Sequence, residues 1–310
     1  MLGENLTRER HRSLVSRAAA APRWLALDAG QVRAHYNRQG FLVSHRLAEH
    51  PLFSLEALQA LCRRMGRAQV KHRAGVIPPD AHFDSSLVKY RQAIPFEQAV
   101  DHLEEFNAYL AIYNPEKDPE YQPVIEGFVG ELGLALADVE RPFNWYSTYV
   151  FLSAQDAVTP YHMDREMNFL LQVRGSKTVK LCDPFEDEIT TPTQRELLLS
   201  YIGQRPTYRP SFEAKAMVFE LEPGLGVHHP FIAPHLVHTG PALSISLAIT
   251  FRTRRSNTWT NACRFNQRAC KLGLRPEPVG RRPMVDQTKS AVLTAYQRAR
   301  QVVDRSRHAA

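Results

Sequence analysis

His162, Asp164 and His235 are the residues of this chain whose types and spacing suit shared chemistry. The first two stand two apart in Thr159-Pro-Tyr-His-Met-Asp164, and the third lies far downstream in Ala-Pro-His-Leu-Val-His. Two imidazoles and one carboxylate make a three-ligand face on a ferrous ion with open positions opposite, the arrangement used by non-haem iron oxygenases. Extended backbone would present them together, because side chains on a strand return to the same face every second residue. Asn168 and Gln172 continue the parity of His162 and Asp164. Alone, a His-x-Asp triplet is a frequent chance pattern. Its weight comes from the elements around it.

Those elements are legible as a change of period. In 54–65, Leu55, Leu58 and Leu61 recur at helical spacing behind a Ser54 cap; 96–113 has a helical periodicity that Pro115 ends, and 118–134 reads as another helix. From about Trp145, short β-branched runs take over at 149–153, 168–173, 178–182, 216–221 and 243–253. Gly175, Pro184, Pro223-Gly224 and Gly240-Pro241 punctuate them. The pattern predicts a mainly β fold with flanking helices, its core a barrel or double-sheet jelly roll, with a helical insert at 193–202. In 243–251, Ser244, Ser246, Ala248 and Thr250 alternate with Leu243, Ile245, Leu247, Ile249 and Phe251. One face is small enough to leave a cavity, and the other is apolar and buried. Trp145 and Tyr146 read as core or pocket wall.

Four histidines, His228, His229, His235 and His238, crowd one short stretch. His235 follows Pro234 on a short strand, and the Thr239-Gly-Pro-Ala242 turn predicts a hairpin that returns this strand beside 243–251. His238 has the opposite parity and would point away. His228 and His229 stay open between donors beside a ligand, substrate contacts and surface residues. The domain reading is a mostly helical region over 1–140 packed on the barrel, a jelly-roll core over 141–253, and a basic helical extension over 254–310.

At 310 residues and 44% hydrophobic composition, the chain can bury a large core. Without an eighteen-residue apolar run or a secretory apolar segment, it reads as cytoplasmic and not membrane-bound. Arg8, Arg10 and Arg12 lie among Glu4 and Glu9, which suits a frayed N-terminal helix better than a transit peptide. Cys62, Cys182, Cys263 and Cys270 form no CxxC pair, so reduced thiols are expected. Residues 251–310 hold 14 Lys/Arg against 3 Asp/Glu, a net of +11, while the rest of the chain sums to −4. Such a tail could contact nucleic acid, but its arginines are not interleaved with aromatic residues, which favours a solvated surface or a subunit contact. Helices at 257–272 and 285–303 carry Leu, Val and Ala stripes suited to a homodimer contact or to core packing.

Two stretches, TPYHMDREMNFLLQVRGSKTVKLCDP at 159–184 and PGLGVHHPFIAPHLVHTGPALSISLAITF at 223–251, resemble the JmjC-type and cupin-like Fe(II)- and 2-oxoglutarate-dependent oxygenases. That family includes the asparaginyl hydroxylase factor inhibiting hypoxia-inducible factor, and the resemblance is nearest to bacterial cupin-like proteins labelled transcriptional regulators. It implies metal ligation by His162, Asp164 and His235, and co-substrate contacts at Thr159, Asn168 and Lys177. The spacing from His162 to Lys177 is kept without a gap. Tyr149 would add a hydroxyl, and Thr250 stands where the hydroxylase has an asparagine. Lys177, which shares the parity of Val179 and Leu181, would pair with the distal carboxylate of 2-oxoglutarate. The implied reaction couples 2-oxoglutarate and dioxygen to hydroxylation of a protein side chain or small molecule. A second class remains beside it, a non-catalytic metal- or ligand-binding cupin that regulates transcription through its basic tail. No helix-turn-helix is evident in the N-terminal region.

Overall fold

The computed structural model describes residues 4–21, 23–91, 94–202 and 205–308. Five strands precede the predicted core: β1 (Glu4–Asn5), β2 (Leu25–Ala26), β3 (Leu42–His45), β4 (Val70–Ala74) and β5 (Ala108–Tyr113). Eight follow: β6 (Phe143–Ser153), β7 (Val158–Met163), β8 (Met167–Arg174), β9 (Lys177–Leu181), β10 (Met217–Leu221), β11 (Leu225–His229), β12 (Pro234–Thr239) and β13 (Ser244–Thr253). The helices are α1 (Arg8–Ala19), α2 (Ala29–His35), α3 (Leu55–Gln69), α4 (Phe83–Lys89), α5 (Phe96–Asp101), α6 (Gln122–Ala135), α7 (Pro192–Ser200), α8 (Ser211–Lys215), α9 (Arg254–Lys271) and α10 (Pro283–His308).

The last eight strands divide between two antiparallel sheets. One runs β2-β3-β11-β8-β13-β6-β5-β4, with β1 also on β6, and the other runs β10-β9-β12-β7. Along the chain, β6 to β9 alternate between the sheets and so do β10 to β13, which is the winding of a double-stranded β-helix, or jelly roll. This winding corrects the predicted hairpin. β12 pairs with β7 and β9, whereas β13 pairs with β6 and β8. The Thr239–Ala242 turn therefore carries the chain from one sheet to the other, so His235 faces β13 across the interior instead of lying beside it.

The alternation in β13 sorts the two sides of the larger sheet. Ile245, Leu247, Ile249 and Phe251 join the main core with residues of α1, α3 and α6, while Ala248 meets Val179, Leu181 and Val237 between the sheets. Ser54 caps α3 by accepting from the Ala57 amide, as expected. The expected helix over 96–113 is corrected: α5 stops at Asp101, Asn107 takes a left-handed φ of 43°, and Ala108–Tyr113 form β5. A run buried on both faces has no clean period, and β5 is held between β4 and β6. Nor is the N-terminal helix frayed. Thr7 caps α1, which buries His11, Leu14 and Ala18 against α6. A Cβ on Gly130 would lie 2.4 Å from the Leu14 carbonyl, so glycine is needed there.

α9 and α10 pack on each other and bury Ala262, Cys263, Ala269 and Leu293. All four cysteines are free thiols. Among the described residues, no helix is long and apolar enough to cross a membrane.

Candidate metal centre

β7 and β12 pair with His162 directly opposite His235, and the register then shifts by one extra residue in β7 between Thr159 and His162. The two rings lie 4.0 Å apart between centroids. Asp164, one residue beyond the end of β7, turns its carboxylate toward both. Its Oδ1 is 3.9 Å from His162 Nε2, and its Oδ2 is 3.8 Å from His235 Nε2. One donor atom from each residue lies within 4.8 Å of the other two, close enough to share one small cation.

Local backbone fixes which nitrogen is offered. His162 Nδ1 donates to the Pro160 carbonyl at 2.8 Å, and His235 Nδ1 donates to the Ala233 carbonyl at 3.0 Å. Both rings are thereby held in the tautomer whose Nε2 lone pair faces the site, as metal-binding histidines require. Burial, then the neighbouring His235, holds His162 far below the usual histidine range, and burial lowers His235 to about 4. Both are neutral donors near pH 7. Burial and Glu166 push the Asp164 carboxyl up to about 7 against the opposing pull of Arg165, and a cation bound between the three residues would favour its charged form. The residues fit a divalent ion.

Phe83 of α4 lies parallel to the His162 ring at 3.8 Å. The Arg205 guanidinium sits over Phe83, pairs with Asp84, and donates from Nε to the Met163 carbonyl at 2.9 Å. Neither Phe83 nor Arg205 stands out in the sequence. They reach the site from distant segments, and no local spacing announces them.

Lys177 opens β9 on the inner face, opposite Thr239 of β12 and Leu221 of β10. Only 4% exposed, it donates from Nζ to Ser246 Oγ at 2.6 Å and lies over Phe151. Among the described residues no carboxylate pairs with it, and burial lowers its pKa to about 7. Asn168 pairs with Thr250 on one side and His229 on the other, and its Oδ1 has no partner among the described residues. Thr159 is half-buried, and its hydroxyl donates to the Tyr109 hydroxyl at 3.4 Å. Thr250 donates to the Ser147 carbonyl at 2.6 Å, which commits its one proton. Tyr149 is half-buried against Tyr113, and burial raises its pKa to about 12. Ser246 and Thr250 are four residues apart on β13, a span of about 13 Å. An elongated ligand would therefore meet a cationic end and a metal end.

The remaining histidines separate by strand parity. His228 points to the outer face, stacks on Tyr36, accepts from the Asn37 amide and donates to the Asn168 carbonyl. His229 points inward, with its ring 4.5 Å from that of His235. Both are buried, which removes the surface alternative. His238 is half-buried, with Lys180 and Glu213 as its charged neighbours. β11 escaped the sequence reading, although Pro223-Gly224 and Pro230 bracket it as turn residues bracket a short strand.

No protein-family model matches this sequence, and no curated protein matches it. Among solved structures, that of Escherichia coli YcfD aligns with a TM-score of 0.50 at 16% identity, over 88% of this chain and 68% of that one. Two others, described as the ribosomal oxygenase YcfD and as the same oxygenase in complex with cobalt and 2-oxoglutarate, each align at 0.47 and 14% identity. These cover 88% of this chain and 67% of theirs. The first likeness shows that this chain shares the fold of YcfD.

Proposed function

We propose that this protein is an Fe(II)- and 2-oxoglutarate-dependent oxygenase of the JmjC-type, cupin-like class. It would hydroxylate a protein side chain or a small molecule. His162, Asp164 and His235 hold the ion, while Lys177, Asn168, Thr159, Tyr149 and Thr250 line the space the co-substrate would fill. One observation carries this reading: an open three-donor face and a buried lysine that no carboxylate among the described residues pairs with share the space between the sheets. A metal site alone would leave Lys177 without a purpose, and a dicarboxylate that also chelates the metal accounts for both.

Bound iron would supply the activation of dioxygen, coupling the conversion of 2-oxoglutarate to succinate and carbon dioxide with insertion of one oxygen atom into a substrate C–H bond. The chain's own part is positional. The Pro160 and Ala233 carbonyls hold the two imidazoles in one tautomer. Lys177 places the distal carboxylate, Phe83 covers one face of His162, and the apolar contacts of Val179, Leu181 and Val237 keep water from the interior. The test is anaerobic binding of Fe(II) and 2-oxoglutarate, followed by oxygen-dependent release of succinate. Loss of both in His162→Ala and Asp164→Ala is expected. A wild-type protein that shows neither would sink the proposal.

A second reading, a ligand-binding regulator, has one observation in its favour: Arg264, Arg268 and Lys271 line a cavity of about 370 Å³ beside α7, α9 and α10. Its mark would be salt-sensitive DNA binding that is lost in Arg264→Glu/Arg268→Glu and retained in His162→Ala. Met284, Val292 and Tyr296 lie exposed on α10 and support a homodimer contact, which sedimentation would reveal. The free thiols support a reducing cytoplasm. We retain the division into 1–140, 141–253 and 254–310 as a proposal that limited proteolysis would test.

A further inference from the structure

His229 is 3% exposed, and neither ring nitrogen has a hydrogen-bond partner among the described residues. A neutral imidazole always carries one N–H, and leaving such a donor buried without an acceptor forfeits the hydrogen bond it would make in water. The same strand shows that the fold can satisfy a histidine, because outward-facing His228 has an acceptor for Nδ1 and a donor for Nε2. His229 points the other way, with its ring 4.5 Å from His235 in an edge arrangement. Its cross-strand neighbour is Asn168, itself 6% exposed with an unpartnered Oδ1. Two adjacent side chains thus aim unmet polar atoms into the metal end of the interior. His229 is not among the groups close enough to be a ligand of the same ion.

We propose that His229 is a co-substrate-binding residue, donating a hydrogen bond to the metal-bound carboxylate end of the 2-oxo acid. This rests on the oxygenase reading and adds to it a second handle at the opposite end from Lys177. The two ends make separable demands. Lys177 selects acids with a distal carboxylate, whereas His229 recognises the 2-oxo carboxylate that every such acid shares.

The experiment is calorimetric, with a redox-inert divalent metal such as Mn(II) loaded under excess, and it needs no turnover. 2-Oxoglutarate and 2-oxovalerate, which lacks the distal carboxylate, are titrated into wild type, His229→Leu, His229→Asn and Lys177→Met. His229→Leu is expected to weaken both acids about tenfold or more and to leave metal affinity and the apo Tm unchanged or slightly raised. His229→Asn, which keeps an N–H, is expected to recover part of the loss. Lys177→Met should weaken 2-oxoglutarate alone. Unchanged affinity for both acids in His229→Leu would overturn the proposal, because the ring then faces only a structural water. A collapse of metal affinity would also overturn it by making His229 a ligand, and a fall in apo Tm in both His229 variants would do so by making the ring structural. If wild type binds metal but neither acid, the oxygenase reading itself fails, and that result is distinct from all of these.

Discussion

Replacing Lys177 with methionine should stabilise the unliganded protein while abolishing the proposed binding of 2-oxoglutarate. Burial lowers the Lys177 pKa from 10.5 to about 7. Above 10.5 the lysine is neutral in both folded and unfolded chains and carries no charge penalty. As pH falls from there toward 7, only the unfolded chain takes up the proton, and folding stability declines. At pH 7 the accumulated cost is about 5 kcal/mol as a ceiling, at 1.36 kcal/mol per pKa unit. Methionine fills similar space without a charge, and losing the Nζ to Ser246 bond returns about 1 kcal/mol. The expected gain therefore reaches up to about 4 kcal/mol, on the order of 5–10 °C in Tm. Melting of the metal-free protein at pH 7 measures it, and calorimetry with 2-oxoglutarate measures the loss of binding. The gain should shrink steadily between pH 7 and 10. A Lys177→Met protein less stable than wild type, or one that still binds 2-oxoglutarate at full strength, would refute the idea that the ammonium is held in place for an anion.

The same residue sets a pH dependence for binding. In the unliganded protein Lys177 loses its proton near pH 7, and a dianion favours the charged form, so affinity for 2-oxoglutarate should be full below pH 7. It should fall toward tenfold per pH unit above that, with proton uptake on binding at pH 8 detectable as a buffer-dependent binding enthalpy. Gly175→Ala should destabilise strongly, by several kcal/mol in denaturant melts, because Gly175 has φ +65° and a Cβ there would lie 2.4 Å from the Leu243 carbonyl. This turn precedes Lys177, so co-substrate affinity should drop with stability. His228→Leu removes two hydrogen bonds and a stack on Tyr36; it should cost about 2–4 kcal/mol while leaving metal affinity within a few-fold of wild type.

What was legible in the sequence had a period short enough to read. The alternation in 243–251 gave both sides of β13, and the parity of His162, Asp164 and Asn168 gave the inner face of β7 and β8. Lys177 was placed inside by the same rule, and its burial follows. The failures have separate causes. β5 is buried on both faces and so lacks a two-residue period, and β12 is joined to β13 by a turn that looks like a hairpin but passes between sheets. Which sheet a strand enters is decided by contacts tens of residues away, and a short turn motif cannot encode it.

That limit bears most directly on the site. Phe83, Asp84 and Arg205 cover His162 from segments about 80 residues before it and 40 after it, and each looks like an ordinary surface residue in sequence. His162 and His235 are fixed by strand register, so their pairing should survive changes in these cover segments. The cover meets the metal face itself through the Phe83 ring on His162 and the Arg205 bond to the Met163 carbonyl, while the Arg205–Asp84 pair joins its two segments. If the division between a rigid metal face and a separable cover is right, Phe83→Ala should leave Fe(II) affinity within a few-fold of wild type and expose the site to water. Succinate release uncoupled from hydroxylation would then rise relative to wild type. Equal losses of metal binding and turnover would show instead that the stacked ring holds His162 in place, making Phe83 part of the metal face.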